Sequence, residues 1–217
     1  MLLTVDIGNT NVTIGAFDGE RLVASWRTAT DVNRQADEYA LQLQGLLPLK
    51  GVRVSDIDAV AICSVVPPLT GIFDEVSRAL FHDAPLVVGT GTKTGVRILY
   101  DSPRDVGADR VVDAAAAYHV YGGPAIVVDF GTATVFDAIS ADGAYLGGSI
   151  FPGVNIAAES LFLRTSQLRR VDFQAPPSAI GRNTVHAIQS GLVFGYAGVV
   201  DAMVAHFKHE LQAPDAR

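Results

Sequence analysis

Two segments of this chain place a carboxylate, a glycine and a set of hydroxyls in the same order. The first is Asp6-Ile7-Gly8-Asn9-Thr10-Asn11-Val12-Thr13. The second is Asp129-Phe130-Gly131-Thr132-Ala133-Thr134-Val135-Phe136-Asp137. Each follows an apolar run, Leu2–Val5 and Ala125–Val128. Glycine lets a ligand approach the backbone closely and can take positive φ. Successive N–H groups in such a turn can converge on an anion, and Thr10, Thr13, Thr132 and Thr134 add hydroxyl donors. Asp6 or Asp129 would repel a bound phosphate unless a cation lay between them, so the pattern points to a metal beside phosphates. One such segment is ordinary turn chemistry. Two in matching contexts suggest two loops gripping one polyanion.

A third polar cluster lies between them, from Tyr100 through Asp101, Ser102, Pro103, Arg104 and Asp105 to Gly107-Ala108-Asp109-Arg110. Gly107 permits a sharp turn into a helix, which puts Asp109 and Arg110 in its first turn. A carboxylate there can accept a proton from an attacking hydroxyl, and Arg110 can clamp a carboxylate or phosphate. Helix capping is the alternative. Asp near a helix N-terminus is favourable in any case, and Arg110 can pair with Asp113 or Asp105.

The elements that must position these residues are legible from periodicity. Leu2–Ile7, Val12–Phe17 and Leu22–Thr28 read as an antiparallel meander with a turn at Asp18-Gly19. Ala36–Leu47 has helical spacing and stops at Pro48. Ile57–Val65 and Pro85–Val88 read as buried strands, with a helix from Pro67 to Phe81 between them. Arg104–Tyr121 reads as a helical bridge. Ala125–Asp129, Thr134–Ile139 and Tyr145–Ile150 repeat the meander, with a turn at Asp142-Gly143, and helices follow over Asn155–Leu163 and Thr184–Leu211. The expected domains are 1–122 and 123–217, joined at Gly122-Gly123-Pro124.

Composition bounds the function. The 217 residues are 49% hydrophobic and 18% charged, enough to bury a core, with net charge −7. An acidic chain with a pI of about 5.1 argues against a general nucleic-acid or anionic-membrane binder. The single cysteine, Cys63, lies in an apolar run and reads as a buried thiol. No basic leader precedes Asp6, and no unbroken apolar run reaches the roughly eighteen residues of a membrane span. The cytoplasm is the default location. Gly191, Gly195 and Gly198 punctuate the last helix, for internal packing or for a dimer seam. Arg164, Arg169 and Arg170 form a basic loop, and Trp26 reads as a residue packed on the first sheet.

Three antiparallel strands followed by α–β–α, made twice, resembles the actin/sugar kinase/Hsp70 ATPase superfamily. The expected fold is therefore α/β, two similar lobes of the actin-like (ribonuclease H-like) ATPase type with a cleft between them. Asp6–Asn11, Gly107–Arg110, Asp129–Thr134 and Gly181-Arg182-Asn183-Thr184, in that order, resemble the type III pantothenate kinase family, also described as Bvg accessory factor-like. The resemblance runs from Met1 to about Leu211.

That resemblance implies an ATP-dependent phosphorylation of pantothenate to 4'-phosphopantothenate, the first step of coenzyme A synthesis. It implies that Asp6, Ile7, Gly8, Asn9, Thr10, Asn11, Val12 and Thr13 form a phosphate loop, with Asp6 near Mg²⁺ and Thr132 on the nucleotide phosphates. Asp129 would hold a monovalent cation, K⁺ or NH₄⁺. Tyr100, Gly107, Ala108, Asp109, Arg110 and Thr184 would bind pantothenate, with Asp109 as the base. It also implies a homodimer in which Thr184 serves the partner's site. Members of that family continue past the long helix with a strand, a Gly-Gly turn and a helix, whereas Leu211 here is followed by Gln-Ala-Pro-Asp-Ala-Arg. The second lobe is thus expected to be shortened, with an open sheet edge. Two other readings stand beside the kinase. One is a catalytically impaired regulatory or pantothenate-binding homologue. The other is a superfamily kinase or phosphatase acting on a sugar, acetate or polyphosphate.

Overall fold

A computed structural model of the chain describes residues 1–89 and 91–217. By contact it divides into two compact units, Met1–Thr94 with Arg104–Val112, and Gly95–Pro103 with Asp113–Arg217.

The first unit is built on β1 (Leu2–Ile7), β2 (Asn11–Asp18), β3 (Arg21–Ala29), β4 (Ala59–Ser64) and β5 (Leu86–Val87), in the order β3-β2-β1-β4-β5. β1 to β3 form the expected antiparallel meander, and β4 joins β1 in parallel, with Asp6 opposite Thr13 on one side and Cys63 on the other. The Asp18-Gly19 turn needs the positive φ of Gly19, +60°, as tight hairpins do. Strand alternation puts Leu3, Val5 and Ile7 in the core and leaves Asp6 exposed.

Two helices cover that core, α1 (Ala36–Leu46) and α2 (Pro67–Phe81). α1 opens on a capping box, in which the Gln35 N–H donates to Glu38 Oε2 at 2.9 Å. It ends where Pro48 forces a tighter turn over Leu47–Lys50. Pro67 opens α2 where its missing N–H costs nothing. Tyr39 and Phe73 bind the helices together, with ring centroids 4.7 Å apart. Trp26 packs into the same core, with Lys50 Nζ 5.8 Å from its ring centre.

α3 (Ala108–Tyr121) contains the division between the units, ahead of the Gly122-Pro124 turn. It starts later than the sequence suggested. Pro103–Asp105 forms a separate tight turn, and the first helical bond runs from Val111 N–H to Gly107 carbonyl. The glycine is therefore the hinge of the helix start.

The second unit repeats the meander as β6 (Ala125–Phe130), β7 (Ala133–Ile139) and β8 (Tyr145–Pro152), in the order β6-β7-β8. Gly143 turns the hairpin with φ +80°. The edge of β6 is partly covered. Ile126 N–H donates to the Arg217 carbonyl at 2.7 Å, and Arg217 N–H to the Pro124 carbonyl at 3.2 Å. α4 (Val154–Arg164), α5 (Thr184–Ser190) and α6 (Tyr196–Glu210) complete the unit.

The expected long C-terminal helix runs unbroken over Thr184–Glu210, but its winding changes part-way. Gly191–Gly195 forms a π-helical turn between α5 and α6. A Cβ on Gly191, Gly195 or Gly198 would meet nothing within 4 Å, so these glycines do not serve close packing within the chain. The run Thr184–Glu210 also reaches the length and mean hydropathy, 1.4, of a membrane span, although no unbroken apolar run does. Only 11% of that apolar window is buried within the chain. Phe207 meets Phe136 edge-on at 6.3 Å, and the Tyr196 hydroxyl donates to the Pro152 carbonyl at 2.7 Å. Burial pushes the Tyr196 hydroxyl pKa up.

Phe73 is 1% exposed and Leu41 is 69% exposed. Phe73→Ala should lower unfolding free energy by about 3–5 kcal/mol, and Leu41→Ala by under about 0.5 kcal/mol. Urea unfolding of the two variants checks the contrast.

Candidate functional site

In the first unit, the hairpin after β1 is closed by its own backbone. Gly8 N–H donates to the Asn11 carbonyl at 3.0 Å, and Thr30 Oγ1 donates to the Gly8 carbonyl at 2.6 Å. Thr30 N–H also donates to the Thr10 carbonyl at 3.0 Å. Thr30 follows β3, so the third strand braces the loop, a role that the sequence reading missed. Gly8 does not carry the positive φ allowed for it, since it is absent from the glycines in the left-handed region. Its reason is space: a Cβ there would stand 3.3 Å from the Asn11 carbonyl oxygen. Asp6, Asn9, Thr10 and Asn11 are exposed around this turn, Thr13 is half-buried, and Ile7 and Val12 anchor it in the core.

The Gly107–Arg110 turn belongs to the same unit. The Arg110 N–H donates to Asp109 Oδ1 at 2.8 Å, which points the carboxylate back over the helix start. A Cβ on Gly107 would stand 2.4 Å from Asp109 Oδ1 and 3.7 Å from Val65 Cγ1. Val65 N–H in turn donates to the Ile7 carbonyl at 3.0 Å. Val65 therefore lies near the start of α3 and is bonded to the end of β1, and the structure brings the Asp6 hairpin and Asp109 to one end of one sheet.

The second unit supplies Asp129, Thr132, Tyr100 and Thr184. Its hairpin is tighter, with Gly131 N–H donating to the Ala133 carbonyl at 2.9 Å. Gly131 also lacks positive φ, and a Cβ there would stand 3.4 Å from Asp129 Oδ2. Gly153, which precedes α4, packs on this loop. Its N–H donates to the Thr132 carbonyl at 3.1 Å, and a Cβ would meet that oxygen at 2.2 Å. Asp129 and Thr132 are exposed. Thr134 is fully buried, and its hydroxyl has no partner among the described residues.

The Gly181–Thr184 motif has a local explanation. Asn183 caps α5 by accepting from the His186 N–H at 2.9 Å, the ordinary work of Asn at that position. Gly181 lies against the helix, where a Cβ would meet Ala187 N at 2.3 Å. Thr184 opens α5 beside an apolar cavity of about 400 Å³, lined also by Leu161, Leu168, Ile188 and Leu192. Tyr100 stands elsewhere in the unit, against Tyr145 and Gly147 of β8. In the basic loop, Arg170 reaches Glu159 at 3.4 Å and lies 5.0 Å over the Phe162 ring.

The donor sets fit hard cations. Asp6 and Asp129 are exposed carboxylates in segments rich in hydroxyl side chains, and no group of three or more His, Cys, Asp or Glu among the described residues forms a dedicated metal cage. Mg²⁺ is commonly held in this way, by one or two carboxylates together with substrate phosphates.

The chain matches the family model for type III pantothenate kinase over residues 2–206. The chain belongs to the type III pantothenate kinase family. It is 53% identical over 221 residues to the type III pantothenate kinase of Streptomyces griseus, covering 99% of this chain and 83% of that one. It is 49% identical over 214 residues to that of Myxococcus xanthus, covering 99% and 84%. In structure it is similar to a Campylobacter jejuni protein described as a Baf family transcriptional activator. That likeness has TM-score 0.58 and 18% identity, over 93% of this chain and 78% of that one. A Sinorhizobium meliloti protein described as a 2-dehydro-3-deoxygalactonokinase gives TM-score 0.52 and 16% identity, over 100% and 90%. These two show the fold: α/β, of the two-lobed actin-like ATPase and sugar kinase type.

For this kinase the glycines divide into two kinds. Gly153 and Gly181 abut backbone, so alanine there should cost folding. Gly107 abuts only the tip of the Asp109 side chain, which can swing away. Gly107→Ala should therefore lower pantothenate-dependent ADP release by about a hundredfold, the cost of a misplaced reacting group, with the thermal midpoint nearly unchanged. Coupled-enzyme kinetics and a melting curve on one preparation check both halves.

Proposed function

We propose that the chain transfers the γ-phosphoryl group of ATP to the primary hydroxyl of pantothenate, with Asp109 as the residue that takes the hydroxyl proton. The observation that carries this reading is the Asp109 carboxylate at the start of α3, near Val65, whose N–H is bonded to the end of the Asp6 strand. Phosphoryl transfer asks mainly for positioning and charge neutralisation, and the exposed Asp6 and Asp129 hairpins suit the second task. The hydroxyl oxygen bonds to the γ-phosphorus, the bond to the bridging oxygen breaks, ADP leaves and the proton passes to Asp109. Arg110 and Tyr100 bind pantothenate, and Thr184 offers a hydroxyl at the rim of an apolar cavity.

In this proposal Asp6 through Thr13 and Thr132 hold the nucleotide phosphates. Asp6 holds Mg²⁺ with them, and Asp129 holds K⁺ or NH₄⁺. The cations, when bound, offset the charge that develops on the phosphate oxygens. We further propose lobes at 1–122 and 123–217, a cytoplasmic homodimer, and service of the partner's site by Thr184. Asp6, Asp109 and Asp129 are all present in this chain, and no observation favours a catalytically impaired homologue.

Asp109→Asn should lower turnover by at least about a hundredfold, as loss of a general base does, while calorimetric pantothenate affinity stays near wild type. Full activity in that variant would sink the assignment. Replacing K⁺ by Na⁺ should slow ADP release in the wild type, and Asp129→Asn should abolish the difference. An equal rate in both salts would remove the monovalent cation from Asp129. Light scattering should return twice the chain mass, and a monomer that turns over would refute the shared site.

A further inference from the structure

The mechanism leaves one buried ionisable pair unused. The Tyr145 hydroxyl donates to Asp137 Oδ1 at 2.9 Å, and the residues are 0% and 1% exposed. A carboxylate removed from water is costly unless it is hydrogen-bonded, and a bond to an ionised acceptor is among the stronger ones. Asp137 closes the second motif, on β7. Tyr145 lies opposite Ile139, and the strand pleat puts Ile139 and Asp137 on one face. The register shifts between Ala138 and Ile139, where β8 carries Leu146 as an extra residue. Such bulges re-aim side chains.

Tyr145 is also the support of the segment that carries Tyr100. Leu99 N–H donates to the Tyr145 carbonyl, and Tyr145 N–H to the Arg97 carbonyl, each at 2.8 Å. These bonds make a parallel bridge between Ile98 and Tyr145. The Tyr100 ring lies 6.2 Å from the Tyr145 ring, tilted by 46°. Gly147 makes room beside it. Its φ is +118°, and a Cβ there would stand 3.3 Å from Cδ2 and Cε2 of Tyr100. The segment is held further by Arg97, which pairs with Asp142. The Ser140 hydroxyl, and then Arg97, hold the Asp142 carboxyl below its ordinary range.

We propose that Asp137 and Tyr145 are positioning residues for pantothenate, acting through Tyr100. The proposal rests on the reading of Tyr100 as a pantothenate contact. Tyr100 is 38% exposed and sits on a segment with no helix or strand of its own. A free ring there would have to be ordered when substrate binds, which costs affinity. Asp137 fixes the tip of Tyr145, the Tyr145 backbone fixes residues 97–99, and its ring backs Tyr100. The binding face is thereby set before substrate arrives.

The test uses the full chain in three variants, Tyr145→Phe, Asp137→Asn and Tyr100→Ala, with KM measured separately for pantothenate and ATP. Tyr100→Ala should raise the pantothenate KM. Tyr145→Phe and Asp137→Asn should raise it roughly fivefold, the scale of one ordinary intramolecular hydrogen bond, and leave the ATP KM within about twofold. A merely structural role would reduce the active fraction and leave the pantothenate KM unchanged. Asp137→Asn keeps the shape of the side chain but replaces the carboxylate acceptor of Tyr145 by the weaker amide oxygen, so it loosens the bond without emptying the site and carries the test where Tyr145→Phe fails to fold. A wild-type pantothenate KM in Asp137→Asn, beside a raised one in Tyr100→Ala, overturns the proposal. An unchanged pantothenate KM in Tyr100→Ala removes the Tyr100 assignment, and the proposal with it.

Discussion

A carboxylate can leave a buried strand for solvent only on the face that the pleat turns away from the core, and β1 shows that constraint. In β1 the residues Leu3, Val5 and Ile7 are buried, and Asp6 between them is exposed. A slip of one residue would bury Asp6 and expose the apolar set. Pairing on both sides, to β2 and β4, holds the register. Only with that register fixed can the hairpin at Gly8 present its hydroxyls beside the carboxylate. β6 does not alternate in this way: Ile126 to Val128 are half-buried, and Asp129 and Phe130 at its end are both exposed, with Gly131 closing the turn. The exposure of Asp6 is therefore set by strand periodicity before any loop is considered.

Much of this was legible because it is local. The strands Leu2–Ile7 and the helix Pro67–Phe81 fall where apolar spacing and Pro67 put them. The Asp-Gly turns carry the positive φ that their sequence demands. What was not legible depends on contacts across the sequence. The glycines of the two repeated motifs looked like positions for unusual φ, yet neither has positive φ, and of the two Gly8 stands tightly against an oxygen, that of Asn11. That distinction cannot be read from a glycine in a sequence. The start of α3 was placed too early because Arg104 and Asp105 suit a helix, while the bond to the Gly107 carbonyl begins it later. The glycines from Gly191 to Gly198 suited internal packing or a dimer seam; they mark or follow a π-helical turn and face open space, which removes packing within the chain. Such turns often accompany functional sites.

The same geometry separates residues that hold the fold from residues that hold the chemistry. Gly153 and Gly181 touch backbone atoms of the elements they pack on, so their lack of a side chain is a condition of folding. Gly107 touches a side-chain oxygen, so its lack of a side chain is a condition of where Asp109 points. Both kinds occur beside motif residues and look alike in the sequence. Proximity to a motif is therefore weak evidence of a chemical role, and the identity of the neighbouring atom is stronger evidence.

The buried Asp137 extends this argument to polar groups. A core that served packing alone would do better with an apolar residue, because an ion pair or charged hydrogen bond in the interior must first overcome desolvation. Retaining a carboxylate at 1% exposure makes sense where it fixes something that apolar packing leaves free to rotate or slide. Tyr145 is such a group. It is a planar ring with one polar tip, and its backbone supports a segment lacking regular structure. Locking the tip sets the plane on which Tyr100 rests. The carboxylate in the core and the carboxylates at the strand ends then divide the work, one ordering an aromatic support and the others facing solvent where phosphates and cations can reach them.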